Sequence, residues 1–259
     1  MNKKWALITG ASKGLGFEYC DLLLTKGYDI IGVARNTDSL GELQKKHSER
    51  EVVAINMDLS NNDNCFKLIE EVKDKNIELV INNAGYGVWG MFEKSDIQSE
   101  MNMIDLNIKA LHILTKEFVK IFKEKNVGRI INVGSMAAFT PGPVFAGYYA
   151  SKAYVTSLGE AVNLELKMAK SKARVITICP GPLKTDFWNR SSNQIDATYY
   201  SKVKVMSTRT YAIKSLRKCL KTNKSVIIIG KMNKLAKFGI NIAPRSTVLK
   251  KIYKYQKER

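Results

Sequence analysis

The sequence predicts an α/β fold, a single domain in which helices flank both faces of a seven-stranded parallel sheet. Short apolar runs alternate along the chain with longer stretches that have helical spacing. The runs are apolar throughout rather than at every second residue, which is typical of strands buried on both faces. A chain of 259 residues that is 45% hydrophobic can bury one substantial core.

Each apolar run is followed by a candidate helix. The predicted strands are centred on residues 6–8, 30–33, 52–55, 79–81, 129–133, 175–178 and 226–229. The predicted helices cover residues 15–27, 38–48, 62–75, 97–124, 148–171 and 208–222. Residues 182–207 have no clean period, and such a loop after the carboxyl end of a strand commonly closes over a ligand.

The net charge of +18 is unevenly distributed. From Ala197 to the end there are 17 Lys and Arg residues and one acid, Glu258, so this last quarter carries +16 and the rest about +2. We expect a domain over residues 1–230 and a basic helical extension over 231–259, either packed on the domain or projecting from it. A nucleic-acid binder is not favoured, because the charge is confined to the tail and no nucleic-acid motif is recognisable. The uneven charge favours a tail that contacts an anionic partner, and the alternative explanation is that its lysines are solvated on surface helices.

Other features bear on the type of protein and its location. The four cysteines lie far apart and there are two histidines, so neither a disulfide framework nor a metal site is expected. The first residues do not have the pattern of a signal peptide, and no uncharged stretch approaches the roughly 18 residues of a membrane span. We expect a cytoplasmic protein.

A glycine-rich turn joins the first strand to the first helix. It reads Thr9-Gly-Ala-Ser-Lys-Gly-Leu-Gly16. Glycines at 10, 14 and 16 let the backbone turn sharply and approach a pyrophosphate, whose charge is favoured at a helix N-terminus. In this strand-to-helix context the motif predicts a dinucleotide site on a Rossmann-like, doubly wound sheet.

The motif resembles the fingerprint of the short-chain dehydrogenase/reductase family, and the likeness recurs at later strand ends. Asp58-Leu59 follows the third strand, Asn82-Asn-Ala-Gly85 the fourth, and Pro180-Gly-Pro182 with Thr185 the sixth. In the family the first of these positions lies near the adenine, the second lies against the cofactor and steadies the sheet, and the third contacts the nicotinamide end. The resemblance, with the donors discussed next, implies these cofactor-binding residues: Gly10, Ser12, Lys13, Gly14, Leu15, Gly16, Arg35, Asp58, Leu59, Asn83, Ala84, Gly85, Tyr148, Lys152, Pro180, Gly181 and Thr185.

The end of the second strand favours NADP(H) over NAD(H). An acid there would bind the ribose 2′-hydroxyl and repel a 2′-phosphate, but the residue present is Ala34. Arg35, with Lys13 or Ser12, offers donors suited to a phosphate. The alternative is that Arg35 only covers the sheet edge.

The motif Tyr148-x-x-x-Lys152 is the candidate catalytic pair. The same spacing occurs at Tyr200/Lys204 and Tyr253/Lys257, but these lie in the irregular loop and in the tail. Tyr148 opens a helical segment, so Lys152 lies one turn on and on the same face.

Two further residues complete the candidate site. Ser135 follows the fifth strand, where the family places its catalytic serine. Asn107 matches the family's fourth catalytic residue, which implies that it bends its helix and holds a water linking Lys152 to solvent; a mid-helix asparagine that faces water is the alternative.

The chemistry of these groups suits hydride transfer to a carbonyl. The carbonyl oxygen needs a proton, and a phenol with a usual pKa of about 10 needs a nearby ammonium to favour its ionised form. Lys152 can supply that charge, and Ser135 can hydrogen-bond the carbonyl oxygen. We expect an NADPH-dependent oxidoreductase that interconverts a carbonyl and a secondary alcohol. A non-catalytic NADPH-binding redox sensor of the same fold is the alternative.

Aromatic residues in two loops suggest an apolar or acyl-chain substrate. They are Phe139, Val144 and Phe145 after the serine, and Phe187, Trp188, Tyr199 and Tyr200 in the irregular loop. The same side chains can instead pack against the body of the protein.

The tail contains two basic amphipathic segments. Val248, Leu249, Ile252 and Tyr253 fall on one helical face, with Lys250, Lys251, Lys254 and Lys257 mostly on the other, and Met232, Leu235 and Ala236 oppose Lys231, Lys234 and Lys237. Such a tail can dock on its own domain, lie on an anionic membrane, or meet an acidic acyl carrier or coenzyme A phosphate. It is similar to the extension of bacterial family members known only as general short-chain reductases. The resemblance also implies a homodimer or homotetramer formed through the helices that carry Asn107 and Tyr148.

Overall fold

The computed structural model describes residues 3–184 and 205–257. Seven strands form one parallel sheet: β1 (Trp5–Thr9), β2 (Asp29–Ala34), β3 (Val52–Asn56), β4 (Ile77–Asn82), β5 (Arg129–Val133), β6 (Arg174–Ile178) and β9 (Val226–Ile227). Two short strands, β7 (Leu183–Lys184) and β8 (Met206–Ser207), pair separately. The strand order of the main sheet is β3-β2-β1-β4-β5-β6-β9. This is the predicted Rossmann-like, doubly wound sheet, and the fold prediction is confirmed.

The helices agree with the sequence pattern except in one long segment. They are α1 (Gly14–Thr25), α2 (Leu40–Lys46), α3 (Asn62–Glu71), α4 (Ile97–Ile104), α5 (Leu111–Glu124), α6 (Ala146–Met168), α7 (Thr208–Cys219), α8 (Lys231–Ile242) and α9 (Arg245–Lys257). The predicted helix over 97–124 contains a π-helical turn at Asp105–Ala110 between α4 and α5. A 3₁₀ turn, Met136–Phe139, follows β5.

Side chains of the strands pack into two apolar cores, one on each face of the sheet. In β1, Ala6 and Ile8 enter the core that α1, α2 and α7 cover, whereas Trp5 and Leu7 enter the core that α3 and α5 cover. All five residues of β1 are buried. This two-sided burial explains why the strands are apolar throughout.

The two tail helices lie against the carboxyl ends of the strands. The amide of Gln256 in α9 donates a 2.6 Å hydrogen bond to the Tyr149 hydroxyl in α6. In α8, Asn233 donates to the Ile229 carbonyl, and Lys237 lies 5.1 Å from the centroid of the Phe139 ring. Within the described residues, no helix combines the length and apolar character that crossing a membrane requires.

Candidate active site

A large cleft opens at the carboxyl ends of the strands, where the strand order reverses between β1 and β4. Its volume is about 1340 Å³, more than the usual pocket for one small ligand. Sixteen predicted site residues line it: Gly10, Ser12, Lys13, Gly14, Leu15, Arg35, Asp58, Leu59, Asn83, Ala84, Gly85, Ser135, Tyr148, Lys152, Pro180 and Gly181. Gly16 and Asn107 lie behind the wall of the cleft rather than on it. Thr185 falls outside the described residues.

The glycine-rich turn is shaped for close backbone approach. Gly10 and Gly14 have φ angles of +64° and +57°, which side chains disfavour. A Cβ on Gly16 would lie 2.2 Å from the Gly10 carbonyl oxygen. Lys13, which precedes α1, has an extended backbone, and its side chain makes no capping hydrogen bond to the helix. The Lys13 side chain therefore does not occupy the first backbone amides of α1, at the edge of the cleft. These features fit a pyrophosphate at the helix N-terminus.

The end of β4 is tied to the end of β1 by a local hydrogen-bond network. The Thr9 hydroxyl accepts from the amides of Asn83 and Ala84, each at 3.0 Å. The Asn83 side chain donates in return to the carbonyls of Thr9 and Gly10. Asn83 therefore fixes the shape of the glycine turn, in addition to lining the cleft.

The rim beyond β2 carries the expected cationic donor and an acid that sequence reasoning did not consider. Arg35 is exposed and lines the cleft with Ser12 and Lys13. Asp38 lines it too, and its carboxylate accepts from the Asn36 side chain at 2.9 Å. The Ser39 hydroxyl donates to the Ser12 carbonyl, which joins this rim to the glycine turn.

Ser135, Tyr148 and Lys152 meet on the opposite wall. Ser135 caps the 3₁₀ turn by accepting from the Ala137 amide, and it also hydrogen-bonds Tyr148. Lys152 is 5% exposed, and its ammonium donates to the Val133 carbonyl at 2.9 Å and lies 5.7 Å from the Tyr148 ring centroid. The predicted constellation is therefore assembled.

Burial shifts both titrating groups of this pair. It raises the pKa of the Tyr148 phenol above its usual range, although the hydrogen bond with Ser135 opposes the shift. Burial also lowers the pKa of the Lys152 ammonium to about 8. The sequence argument expected Lys152 to favour the ionised phenol. In this structure desolvation dominates, and the phenol, already protonated at neutral pH with its usual pKa of about 10, is moved further from ionisation.

Asn107 ties three parts of the site together from a fully buried position. Its side-chain oxygen accepts from the Tyr86 amide at 3.1 Å, and its amide donates to the Tyr86 carbonyl and to the Ser151 hydroxyl. Ser151 in turn donates to the Tyr148 carbonyl. Asn107 lies within the π-helical turn, where the helix departs from α geometry. It does not face water, which was the alternative interpretation.

The remaining wall of the cleft is apolar and aromatic. The Phe145 ring stacks on the Tyr148 ring, with 4.5 Å between the centroids. Phe139 packs under Lys237 instead of lining the cleft, and Val144 adopts a φ of +67°. The other aromatic residues expected here, Phe187, Trp188, Tyr199 and Tyr200, lie outside the described residues.

Sequence reasoning missed the contribution of the tail to this wall. Five of its residues line the cleft: Asn233, Ala236, Ile240, Ile252 and Tyr255. Ala236 and Ile252 belong to the predicted apolar faces, but Met232 and Leu235, grouped with Ala236, point outward and are 75% and 61% exposed. The helical period placed residues on faces, but it could not show which face meets the body.

Comparison with known proteins agrees with this geometry. The profile of the short chain dehydrogenase family matches residues 4–196. Dehydrogenase/reductase SDR family member 11 of Gallus gallus is 32% identical over 192 residues, which are 70% of this chain and 75% of that protein. The 7beta-hydroxysteroid dehydrogenase of Clostridium sardiniense is 31% identical over 188 residues, 71% of each chain.

A solved structure matches a larger share of the chain than these relatives do. The short-chain dehydrogenase of Sphingobium yanoikuyae, in complex with NADPH, is 26% identical with a TM-score of 0.80, over 94% of this chain and 97% of that one. The chain belongs to the short-chain dehydrogenase family of NAD(P)-dependent oxidoreductases.

Proposed function

We propose that this protein is an NADPH-dependent reductase that interconverts a carbonyl and a secondary alcohol. The observation that carries the proposal is the meeting of Ser135, Tyr148 and Lys152 on one wall of the cleft, opposite the glycine turn. A non-catalytic sensor could use Tyr148 and Lys152 to hold the cofactor, so turnover is the measurement that separates the two functions.

The cofactor is NADP(H), bound along the strand ends. Arg35 and Lys13 supply the cationic donors for the 2′-phosphate, and no acid replaces Ala34 at the end of β2. The Sphingobium yanoikuyae relative was solved with NADPH, and a short-chain dehydrogenase of Burkholderia cenocepacia, 25% identical, was solved with NADP. When bound, the reduced nicotinamide supplies the hydride, and cells usually hold NADPH reduced, so reduction is the favoured direction.

The protein's own groups handle the substrate oxygen and its proton. Ser135 hydrogen-bonds the carbonyl oxygen, and Tyr148, whose phenol is protonated at neutral pH, donates a proton to that oxygen. Lys152 stabilises the phenolate that remains. Asn107 is a positioning residue, since it holds the start of α6 through Ser151. From the family resemblance we further propose that its π-helical turn holds a water that connects Lys152 to solvent.

The substrate is a bulky apolar or acyl-chain carbonyl compound. Phe145, Tyr149, Ile240, Ile252 and Tyr255 form the part of the cleft beyond the catalytic groups. The Clostridium sardiniense relative, 31% identical, is named for a hydroxysteroid, and a hydroxysteroid is a large apolar alcohol. The size of the cleft leaves room for such a compound beside the cofactor.

The extension expected over 231–259, which the structure describes over residues 231–257, packs on the described part of the domain over residues 1–230, and it completes the substrate side of the cleft. Gln256, 2% exposed, anchors α9 to Tyr149. The charge of the tail also suits contact with an anionic partner, either a membrane surface or an acidic acyl carrier.

The protein acts as a homodimer or homotetramer in the cytoplasm. The outer face of α6 carries Leu164 and Met168, which are 58% and 76% exposed and suit a subunit interface. All four cysteines, each within the described residues, are buried free thiols, as a reducing compartment permits.

Oxidation of NADPH by ketones graded in bulk and chain length tests the function. Tyr148→Phe removes the proton donor, so we expect about a thousandfold loss of kcat with NADPH affinity nearly unchanged. Tyr154→Phe is the matched control, because Tyr154 lies on the same helix but bonds His112 away from the cleft. Full activity of Tyr148→Phe would refute the assignment. Tight NADPH binding by the native protein without turnover would favour the sensor.

A further inference from the structure

The outer face of α8 exposes a stripe of large apolar side chains. Met232, Leu235, Phe238 and Ile242 are 75%, 61%, 62% and 68% exposed. Their spacings of three, three and four residues place them in one row along the helix. Folded proteins seldom expose such a row without a use for it. We call these four residues the α8 stripe.

The stripe is embedded in a strongly basic segment. From residue 231 to 257, Lys and Arg occur eight times and no acid is present. Lys231 and Lys234 lie on α8 itself and are exposed. At 100° per residue, Lys234 falls along one edge of the stripe and Lys231 lies within it at the start of the helix, whereas Lys237 turns towards the body at Phe139. Long lysine side chains in this position can keep their charge at a headgroup while the stripe enters an apolar phase.

The other side of the same helix faces the cleft. Asn233, Ala236 and Ile240 line it, and the Asn233 side chain contacts Gly181 so closely that a Cβ there would lie 2.6 Å from it. The α8 helix is thus fixed against the body through one face. Its stripe points away from the cleft.

We propose that the α8 stripe seats the protein on an anionic lipid surface. Apolar side chains flanked by lysines are the features by which an amphipathic helix lies in a membrane interface. A second copy of this chain fits less well, because a two-fold contact through the stripe would bring two tails of like charge together. An acidic protein would use the lysines but would leave the apolar row unexplained.

This placement has a consequence for the substrate, which rests on the proposed function. One face of α8 forms a wall of the cleft and the opposite face lies in the membrane, so the cleft opens beside the lipid. An apolar carbonyl compound dissolved in the bilayer would then reach Tyr148 without entering bulk water.

Sedimentation of the full-length protein with vesicles tests the proposal. We expect at least tenfold more protein to pellet with vesicles of phosphatidylcholine and phosphatidylglycerol than with phosphatidylcholine alone, and binding to weaken with salt. Leu235→Gln/Phe238→Gln keeps the charge and should reduce pelleting about tenfold. Phe66→Gln, which alters an exposed apolar residue on α3, is the matched control and should pellet normally.

NADPH affinity and turnover of a water-soluble ketone are measured on the same variants. A protein that lacks the proposed reductase activity is thereby distinguished from one that fails only to bind the membrane. Equal pelleting of the double variant and the native protein would overturn the proposal, as would no binding to anionic vesicles. A molar mass by light scattering that falls in the double variant, without vesicle binding by the native protein, would assign the stripe to a subunit interface instead.

Discussion

The two halves of the cleft are built in different ways. The cofactor half is made of strand ends and a glycine turn, in which Gly10 and Gly16 approach each other across six positions of sequence. The substrate half depends on contacts such as that between Gln256 and Tyr149, which are 107 residues apart. The first half is fixed by backbone geometry and the second by how helices dock. We therefore expect the cofactor half to tolerate change poorly and the substrate half to be adjustable.

The sharpest test of this difference is a methyl group in the glycine turn. In Gly16→Ala the new Cβ would lie 2.2 Å from the Gly10 carbonyl oxygen and 2.7 Å from the Asn83 side chain. The turn must shift, so we expect the Kd for NADPH to rise about a hundredfold, or about 2.7 kcal/mol. Fluorescence titration with NADPH measures it.

Gly41→Ala is the matched control for that substitution. Gly41 lies in α2, where an added Cβ meets nothing within 4 Å. Alanine favours a helix by up to about 1 kcal/mol, so this variant should bind NADPH normally and unfold at a slightly higher temperature. Equal NADPH affinities of the two variants would contradict the description of the turn.

The preference for NADPH over NADH should depend strongly on Arg35, one of the two cations at the rim. Arg35→Gln removes a charge-assisted hydrogen bond to the 2′-phosphate, which we expect to weaken NADPH binding about tenfold and leave NADH binding unchanged. Arg50→Gln changes an arginine that does not line the cleft and should alter neither affinity. An equal change in both affinities would show that Arg35 does not recognise the 2′-phosphate, and no change in either would leave it as only a cover for the sheet edge.

The pH dependence of reduction should report Lys152, which lies where the two halves meet. Burial lowers the pKa of its ammonium to about 8, so the charged form predominates below that pH and is lost as the pH rises through it. We expect kcat to be level at lower pH and to fall by up to about tenfold per pH unit above about 8. A kcat that stays level to a pH well above 9 would exclude this role.

The smallest effect is expected in the substrate half. Gln256→Leu removes one neutral hydrogen bond, which contributes about 1 kcal/mol, so KM for a bulky ketone should rise about fivefold with little change in NADPH affinity. Tyr149→Phe removes the other partner and should have a similar effect. If the two groups act through their mutual bond, the double variant will be no worse than either single one. Additive effects would show that the contact does not hold the wall.

Residues of the cofactor half and the catalytic groups were easier to predict from the sequence than the contacts that hold the substrate half together. Gly10 and Ser135 could be assigned because each follows a recognisable strand, Tyr148 because it lies at the start of a helix, and Lys152 because it lies one turn later. The role of Ser151 in holding Asn107 gave no such signal, since a serine within a helix is common. Asp38 was missed because the argument about the second strand considered its last residues and not the turn after it.

The sequence by itself determined the doubly wound sheet and the cofactor site, because periodicity and glycine motifs act within short stretches of chain. It also showed that the tail is basic and amphipathic. Only the tertiary structure decided that Ile240 and Ile252 face the cleft while Leu235 faces outward. The physical reason is that a helical period groups residues into faces, whereas the packing of distant elements selects the face that is buried.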